Sequence, residues 1–184
     1  MGSIVIEMVS ITECTTDAVV NAANAGLAPG AGVCGAIFAA AGYDQLDRAC
    51  RQIGGCPTGG AVITPGFNLP AKYIVQAVGP IWNGGSSDEP QLLYGAYANS
   101  LAVAWAHQCT SIAFPLISAG IYGYPLEGAW DRALRASADF IMEHDMDIVF
   151  AVLDRRIMDA GVAQMKALIK EDKYKNFTGF KNIK

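Results

Sequence analysis

Apolar and polar positions alternate across residues 3–8, the period of a half-buried strand, and residues 18–20 form a short apolar run that stops at Asn21-Ala22-Ala23-Asn24. The pattern then changes period. Small, helix-compatible residues fill 36–41, and 43–53 continues with helical spacing until Gly54-Gly55 ends it. β-branched and apolar residues return at 60–64 and 73–78, and the turn through Pro65, Gly66, Asn68 and Pro70 predicts that these two strands pair as neighbours. An Ala-, Leu- and Tyr-rich stretch predicts a long helix over 90–107, capped by Ser87 or Asp88. Strand 111–114, helix 125–143, strand 148–153 and helix 158–169 then alternate.

That alternation implies an α/β fold in which helices cover both faces of a parallel or mixed sheet. A length of 184 residues suits one domain, and 52% hydrophobic against 16% charged residues argues for a well-covered core. The net charge of -4 lacks the cationic surplus that a phosphate-backbone footprint needs, so no duplex nucleic acid is expected as a partner. The five cysteines are odd in number and irregularly spaced, with no CxxC and no Cys/His zinc pattern, which points to reduced thiols and no metal. The first ten residues show no cationic stretch leading into an apolar core, and no apolar run spans a bilayer, so a cytoplasmic protein without a membrane partner is expected. Residues 170–184 carry five lysines and read as a solvated surface. No repeat or low-complexity tract interrupts the chain.

Candidate chemistry sits in two glycine-rich loops, each between a strand and a helix. Gly30-Ala31-Gly32-Val33-Cys34-Gly35 satisfies GxGxxG and opens a helix, where backbone amides and the helix dipole favour phosphate. Alone, it reads as a helix-capping turn. The dinucleotide fingerprint of doubly wound folds needs the first glycine directly after a strand and a carboxylate about 20 residues on; neither is present. Asn21, directly after an apolar strand, is expected to bond the protein's own backbone, whereas Asn24 is placed either to form a turn or to meet the hydroxyls of a sugar. The second loop, Ser118-Ala119-Gly120-Ile121-Tyr122-Gly123, repeats the arrangement. Two such loops side by side make one anion-binding crevice, with Tyr122 along a ribose or packing the loop.

Taken together, Asp17-Ala-Val-Val-Asn-Ala-Ala-Asn24, Gly30-Ala-Gly-Val-Cys-Gly-Ala-Ile37, Pro70-Ala-Lys-Tyr-Ile-Val-Gln-Ala-Val-Gly-Pro80 and Ser118-Ala-Gly-Ile-Tyr-Gly-Tyr-Pro125 resemble the macro domain family, in order and over nearly the whole chain. The resemblance implies a single three-layer α/β/α domain over residues 1–184 with a mixed central sheet. It further implies ADP-ribose or an ADP-ribosylated protein as partner, no cofactor, and hydrolysis of ADP-ribosyl esters or deacetylation of O-acetyl-ADP-ribose. By the same resemblance, Gly30, Gly32, Val33, Ser118, Ala119, Gly120, Ile121 and Tyr122 contact the diphosphate, with Tyr122 and Asn24 against the distal ribose. Ile11 lies beside adenine, and Leu153 and Asp154 lie near the adenosine.

Two positions depart from the family's pattern. Many macro domains carry Asp where this chain has Ser10, so a neutral acceptor replaces a charge-assisted bond to adenine that is roughly twice as strong. A hydrolytic subfamily carries Asp at the position of Cys34, which here reads as a small side chain filling the first helical turn. No other base is evident in the loops, and His107 and His144 fall late in helices. If the chain hydrolyses its ligand, Asn24 and the loop amides position the substrate so that its own phosphate helps activate water. A hydrolase is favoured over a non-catalytic ADP-ribose reader, and a nicotinamide-dependent oxidoreductase is a remote third reading.

Overall fold

In the structure, a computed structural model that describes residues 1–183, six strands form one sheet. They are β1 (Ile4–Met8), β2 (Ala18–Ala23), β3 (Ala61–Pro65), β4 (Tyr73–Val78), β5 (Ser111–Phe114) and β6 (Asp147–Val152), arranged β1-β6-β5-β2-β4-β3. Every neighbouring pair is parallel except β3 with β4, the hairpin that the turn residues predict. The sheet is therefore mixed. Helices α1 (Gly32–Ala41) and α2 (Tyr43–Ile53) cover one face, and α3 (Glu89–Ala106), α4 (Leu126–Ile141) and α5 (Arg155–Leu168) cover the other.

Alternate strand residues feed two cores. Ala18 and Val20 of β2 join Phe114, Phe150 and the fully buried Trp130 beneath α3 to α5, while Val19 and Ala23 join Ile37, Phe38 and Leu46 beneath α1 and α2. The Trp130 indole N–H donates to the Ile157 carbonyl at 2.9 Å and fixes α4 against α5. α5 begins at Arg155 rather than 158 because the Asp154 carboxylate accepts the amides of Arg156 (2.7 Å) and Ile157 (3.3 Å), a full N-cap.

β2 runs three residues past its expected end at residue 20. Asn21 stays in the ladder opposite Gln76, and its Nδ2 donates across the strands to Gln76 Oε1 at 2.8 Å, while Asn21 Oδ1 and Gln76 Nε2 are buried without a partner among the described residues. A second, longer contact from Nδ2 reaches Cys34 Sγ at 3.5 Å. The expected backbone partner is thus replaced by side chains. The helix over 89–106 also differs at its start: neither Ser87 nor Asp88 caps it through a side chain.

The C-terminal segment is docked, not a solvated lysine surface. Tyr174 and Phe180 are buried, Phe180 bridges to Ile4, and the Ile4 N–H and carbonyl pair with Gly179 and Lys181. Asp139 of α4 collects Tyr94 Oη (2.7 Å), Tyr174 Oη (2.8 Å) and Lys173 Nζ (2.7 Å). Aromatic residues between the lysines anchor the segment while the ammonium groups reach outward or pair. Lys184 lies outside the described residues.

Candidate functional site

β2 and β5 are neighbours whose chains leave in opposite directions, β2 into α1 on one face and β5 toward α4 on the other. Such divergence opens a crevice beyond the carboxyl ends of the strands. A cavity of about 420 Å³ occupies it, lined by Asn24 and residues 30–34 from the first loop, 115–118 and 120–122 from the second, and Gly79 after β4.

The first loop delivers α1 with its N-terminus facing this cavity and Ala31 at the N-cap, where no side chain satisfies the first turn. The leading amides of a helix have no intrahelical acceptor and carry the positive end of its dipole, so they favour an anion. Close packing holds the loop in place: a Cβ on Gly35 would stand 2.7 Å from the Gly30 carbonyl oxygen. Asn24 braces the approach, its Nδ2 donating to the Ala28 carbonyl (2.8 Å) and its Oδ1 accepting the Ala28 amide (2.9 Å). One amide hydrogen and one lone pair remain for a ligand. Cys34 is buried, as a residue filling the first turn should be, and its thiol donates to the Ala28 carbonyl at 3.8 Å.

In the second loop, Gly123 and Tyr124 donate to the carbonyls of Gly120 and Ser118, closing a turn, while the amides of residues 119–122 bond no other described residue. Ser118 holds a left-handed φ of 67° and its buried hydroxyl has no partner among the described residues. Strain of this kind persists only where the surroundings impose it. They do so from below, where Tyr97 of α3 accepts the Ile117 amide at 2.8 Å and donates to the Pro115 carbonyl at 3.3 Å. Burial pushes the Tyr97 phenol well above the usual tyrosine range, so it stays protonated to make both bonds. From the side, Gly79 admits the loop, because a Cβ there would lie 2.2 Å from Ser118 Oγ and 2.5 Å from Ile117 Cγ2.

A third segment packs against the second loop. Trp82, after β4, donates its amide to the Tyr122 carbonyl at 2.9 Å and packs against Tyr124 with ring centroids 4.7 Å apart. The segment is gathered by Glu89, whose carboxylate accepts the amides of Asn83 (2.8 Å), Gly85 (3.2 Å) and Ser87 (2.6 Å). Desolvation pushes this carboxyl up, but the backbone bonds outweigh it and hold it below the ordinary glutamate value.

A family model for the macro domain matches residues 20–133. The chain belongs to the macro domain family. A macro domain-containing protein of Chlorobaculum tepidum is 56% identical over 151 residues, covering 81% of this chain and 87% of that protein. The O-acetyl-ADP-ribose deacetylase of Escherichia coli K12 is 51% identical over 137 residues, covering 73% and 77% respectively. Among solved structures, the Oceanobacillus iheyensis macrodomain with ADP superposes with a TM-score of 0.85 at 38% identity, covering 90% of each chain. The Trypanosoma brucei macrodomain in complex with ADP-ribose gives 0.79 at 33% identity, covering 89% of this chain and 68% of that one. The three-layer α/β/α expectation is borne out.

Of the site residues expected from sequence, this macro domain brings Asn24, Gly30, Gly32, Val33, Cys34, Ser118, Gly120, Ile121 and Tyr122 to one cavity. Ala119 lies outside its lining. Ser10, Ile11, Leu153 and Asp154 stand at the carboxyl ends of β1 and β6, on the same edge of the sheet but beyond the cavity. There Val9 donates to Val152 (3.1 Å), the Ser10 and Thr12 hydroxyls bond each other (2.9 Å), Ile11 is buried and Leu153 is exposed. Asp154 caps α5 and its accepting oxygen is committed there. His107 and His144 pack edge-on against Tyr73 and face-on against Phe140, far from the loops in the fold. Sequence reasoning missed Gly79, Tyr97 and Glu89. Only the Gly79-Pro80 dipeptide carries a local signal, that of a chain leaving a strand.

Proposed function

We propose that this macro domain binds ADP-ribose across the carboxyl edge of its sheet and hydrolyses the ester of O-acetyl-ADP-ribose. The observation that carries the reading is the pairing of two amide-rich loops around one cavity at the point where β2 and β5 diverge. The uncapped start of α1 and the amides of residues 119–122 hold the diphosphate from both sides. Adenosine extends toward Ser10, Ile11, Leu153 and Asp154 at the ends of β1 and β6, and the distal ribose lies against Asn24 and Tyr122. The name of the Escherichia coli relative supports the reaction.

No carboxylate or imidazole lines the cavity among the described residues. Water activation is therefore assigned to a diphosphate oxygen of the substrate, with Asn24 orienting the ribose so that water meets the ester carbonyl. Loop amides stabilise the oxyanion that develops there. Water's oxygen bonds to the carbonyl carbon, the bond from that carbon to the ribose oxygen breaks, and the ribose oxygen takes a proton.

The same absence of a base favours a second reading, a non-catalytic ADP-ribose reader. Titration calorimetry with ADP-ribose and an acetate-release assay with O-acetyl-ADP-ribose separate the two: binding with release is expected, and binding without release makes the protein a reader. Asn24→Ala is expected to lower turnover by at least about tenfold, the loss of one orienting hydrogen bond in the transition state. Undiminished turnover removes Asn24 from the mechanism.

A further inference from the structure

Beyond the carboxyl end of β1 the chain makes one 3-10 turn over Ile11–Glu13, and the hydroxyls of Ser10 and Thr12 lie 2.9 Å apart. The backbone of this turn is fixed, because the Ser10 carbonyl accepts the Glu13 amide at 3.0 Å and the Cys14 thiol at 3.6 Å. The Ser10 hydroxyl is not spent on capping the turn, and both residues are half-buried. Two neighbours are hydrocarbon: Ile11 is buried in the core under α1 and α2, and Leu153, at the end of the adjacent strand β6, is 77% exposed. Asp154, one residue further on, turns its carboxylate Oδ1 into the start of α5.

Either hydroxyl can be the donor in the bond between Ser10 and Thr12. Whichever donates keeps its lone pairs for a ligand, and whichever accepts keeps its own hydrogen. The pair therefore offers an acceptor and a donor side by side, and reversing the bond between them exchanges the two positions without losing a hydrogen bond. A carboxylate, which only accepts, has no such freedom.

On the proposed binding reading, on which this inference rests, the nucleobase lies at this end of the cleft. The 6-amino group of adenine donates, whereas a 6-oxo group accepts. N1 beside it changes in the opposite sense, from an acceptor in adenine to an N–H donor in hypoxanthine. We propose that Ser10 and Thr12 form a reversible hydroxyl pair that reads a purine edge in either sense, so that the ligands of this cleft include 6-oxopurine as well as 6-aminopurine diphosphate riboses. With adenine, one hydroxyl accepts from the amino group and donates to the second, which donates to N1. With hypoxanthine, all three bonds run the other way. Ile11 and Leu153 meet the faces of the ring, where the two bases are alike.

The test titrates ADP-ribose and inosine diphosphate ribose, its hypoxanthine counterpart, into the full chain and two variants by calorimetry. With equal numbers of neutral hydrogen bonds to the two bases, the parent is expected to bind both ligands within about fivefold of each other. Thr12→Val keeps the shape of the side chain but removes the second hydroxyl, and is expected to weaken both ligands about fivefold while keeping their ratio. Ser10→Asp breaks the symmetry. Its carboxylate accepts from adenine, sets a negative charge against the 6-oxo group of hypoxanthine and draws the Thr12 hydrogen to itself, so the preference for ADP-ribose is expected to rise at least about thirtyfold. A parent preference for either ligand beyond about fivefold, a ratio that Ser10→Asp leaves unchanged, or affinities that Thr12→Val does not alter overturn the hydroxyl pair while leaving the ADP-ribose cleft intact. A parent chain that binds neither ligand overturns the reading beneath it as well.

Discussion

Replacing Gly79 by alanine adds one carbon atom, and the structure says where it goes. The new Cβ meets Ser118 Oγ at 2.2 Å and Ile117 Cγ2 at 2.5 Å. The serine hydroxyl can rotate aside. Ile117 cannot, because it is buried and β-branched, so the backbone of the second loop must shift. Forcing a methyl group into a packed site costs about 1–3 kcal/mol, and in a domain of this size each kcal/mol lowers the thermal midpoint by about 2–4 °C. The larger effect falls on the ligand. A hydrogen bond to a charged group contributes about 1.5–3 kcal/mol, so displacing two loop amides from a diphosphate weakens ADP-ribose binding by at least about 100-fold. Circular dichroism melting and titration calorimetry read the two effects separately. A lowered midpoint with unchanged ADP-ribose affinity refutes the claim that Gly79 seats a diphosphate-binding loop.

Tyr97→Phe leaves the Ile117 amide and the Pro115 carbonyl without their buried partner, at a cost of about 1–3 kcal/mol, and an unchanged thermal midpoint counts against the brace beneath the second loop. Ser10→Asp supplies the carboxylate found at this position in many macro domains; a charge-assisted bond exceeds a neutral one by about 1 kcal/mol, so ADP-ribose is expected to bind about fivefold more tightly, and equal or weaker binding moves adenine away from Ser10. Asp139 gives a pH signature. Burial pushes its carboxyl up, but the bonds from Lys173, Tyr94 and Tyr174 outweigh that and hold it below the ordinary aspartate value. Its stabilising contribution is complete above the unfolded value of about 3.9 and is lost as pH falls through the lower folded value. The gap in thermal midpoint between parent and Asp139→Asn is therefore expected to close below about pH 4, and a gap that persists at lower pH removes Asp139 as the anchor of the C-terminal segment.

Local rules were sufficient wherever local chemistry decided the outcome. Alternation at 3–8, the hairpin turn through Pro65 and Gly66 and the strand–loop–helix repeats at Gly30 and Ser118 all survive in the fold. Failures cluster where a distant residue satisfies a polar group. Asn21 reads as a strand end until Gln76, 55 positions later, accepts from its Nδ2. Asn24 reads as either a turn former or a ligand group, and the geometry makes it a brace with hydrogen-bonding capacity to spare. Glu89 falls just before the helix expected over 90–107, yet its carboxylate gathers the amides of Asn83, Gly85 and Ser87. The C-terminal lysines mask the aromatic residues that anchor that segment, since composition reports charge and not the face on which it falls. The two glycine loops were thus legible as parts, while Gly79 and Tyr97, which seat the second of them, depend on tertiary contacts that no short motif encodes.

The central claim is an esterase whose cavity between the two loops is lined by no carboxylate or imidazole among the described residues. Its most direct test is incubation of the purified chain with O-acetyl-ADP-ribose, following acetate and ADP-ribose by mass spectrometry over many turnovers. Release of both products in equal amounts, far in excess of the protein present, is the expected result. Saturable ADP-ribose binding with acetate release no faster than in buffer contradicts the account.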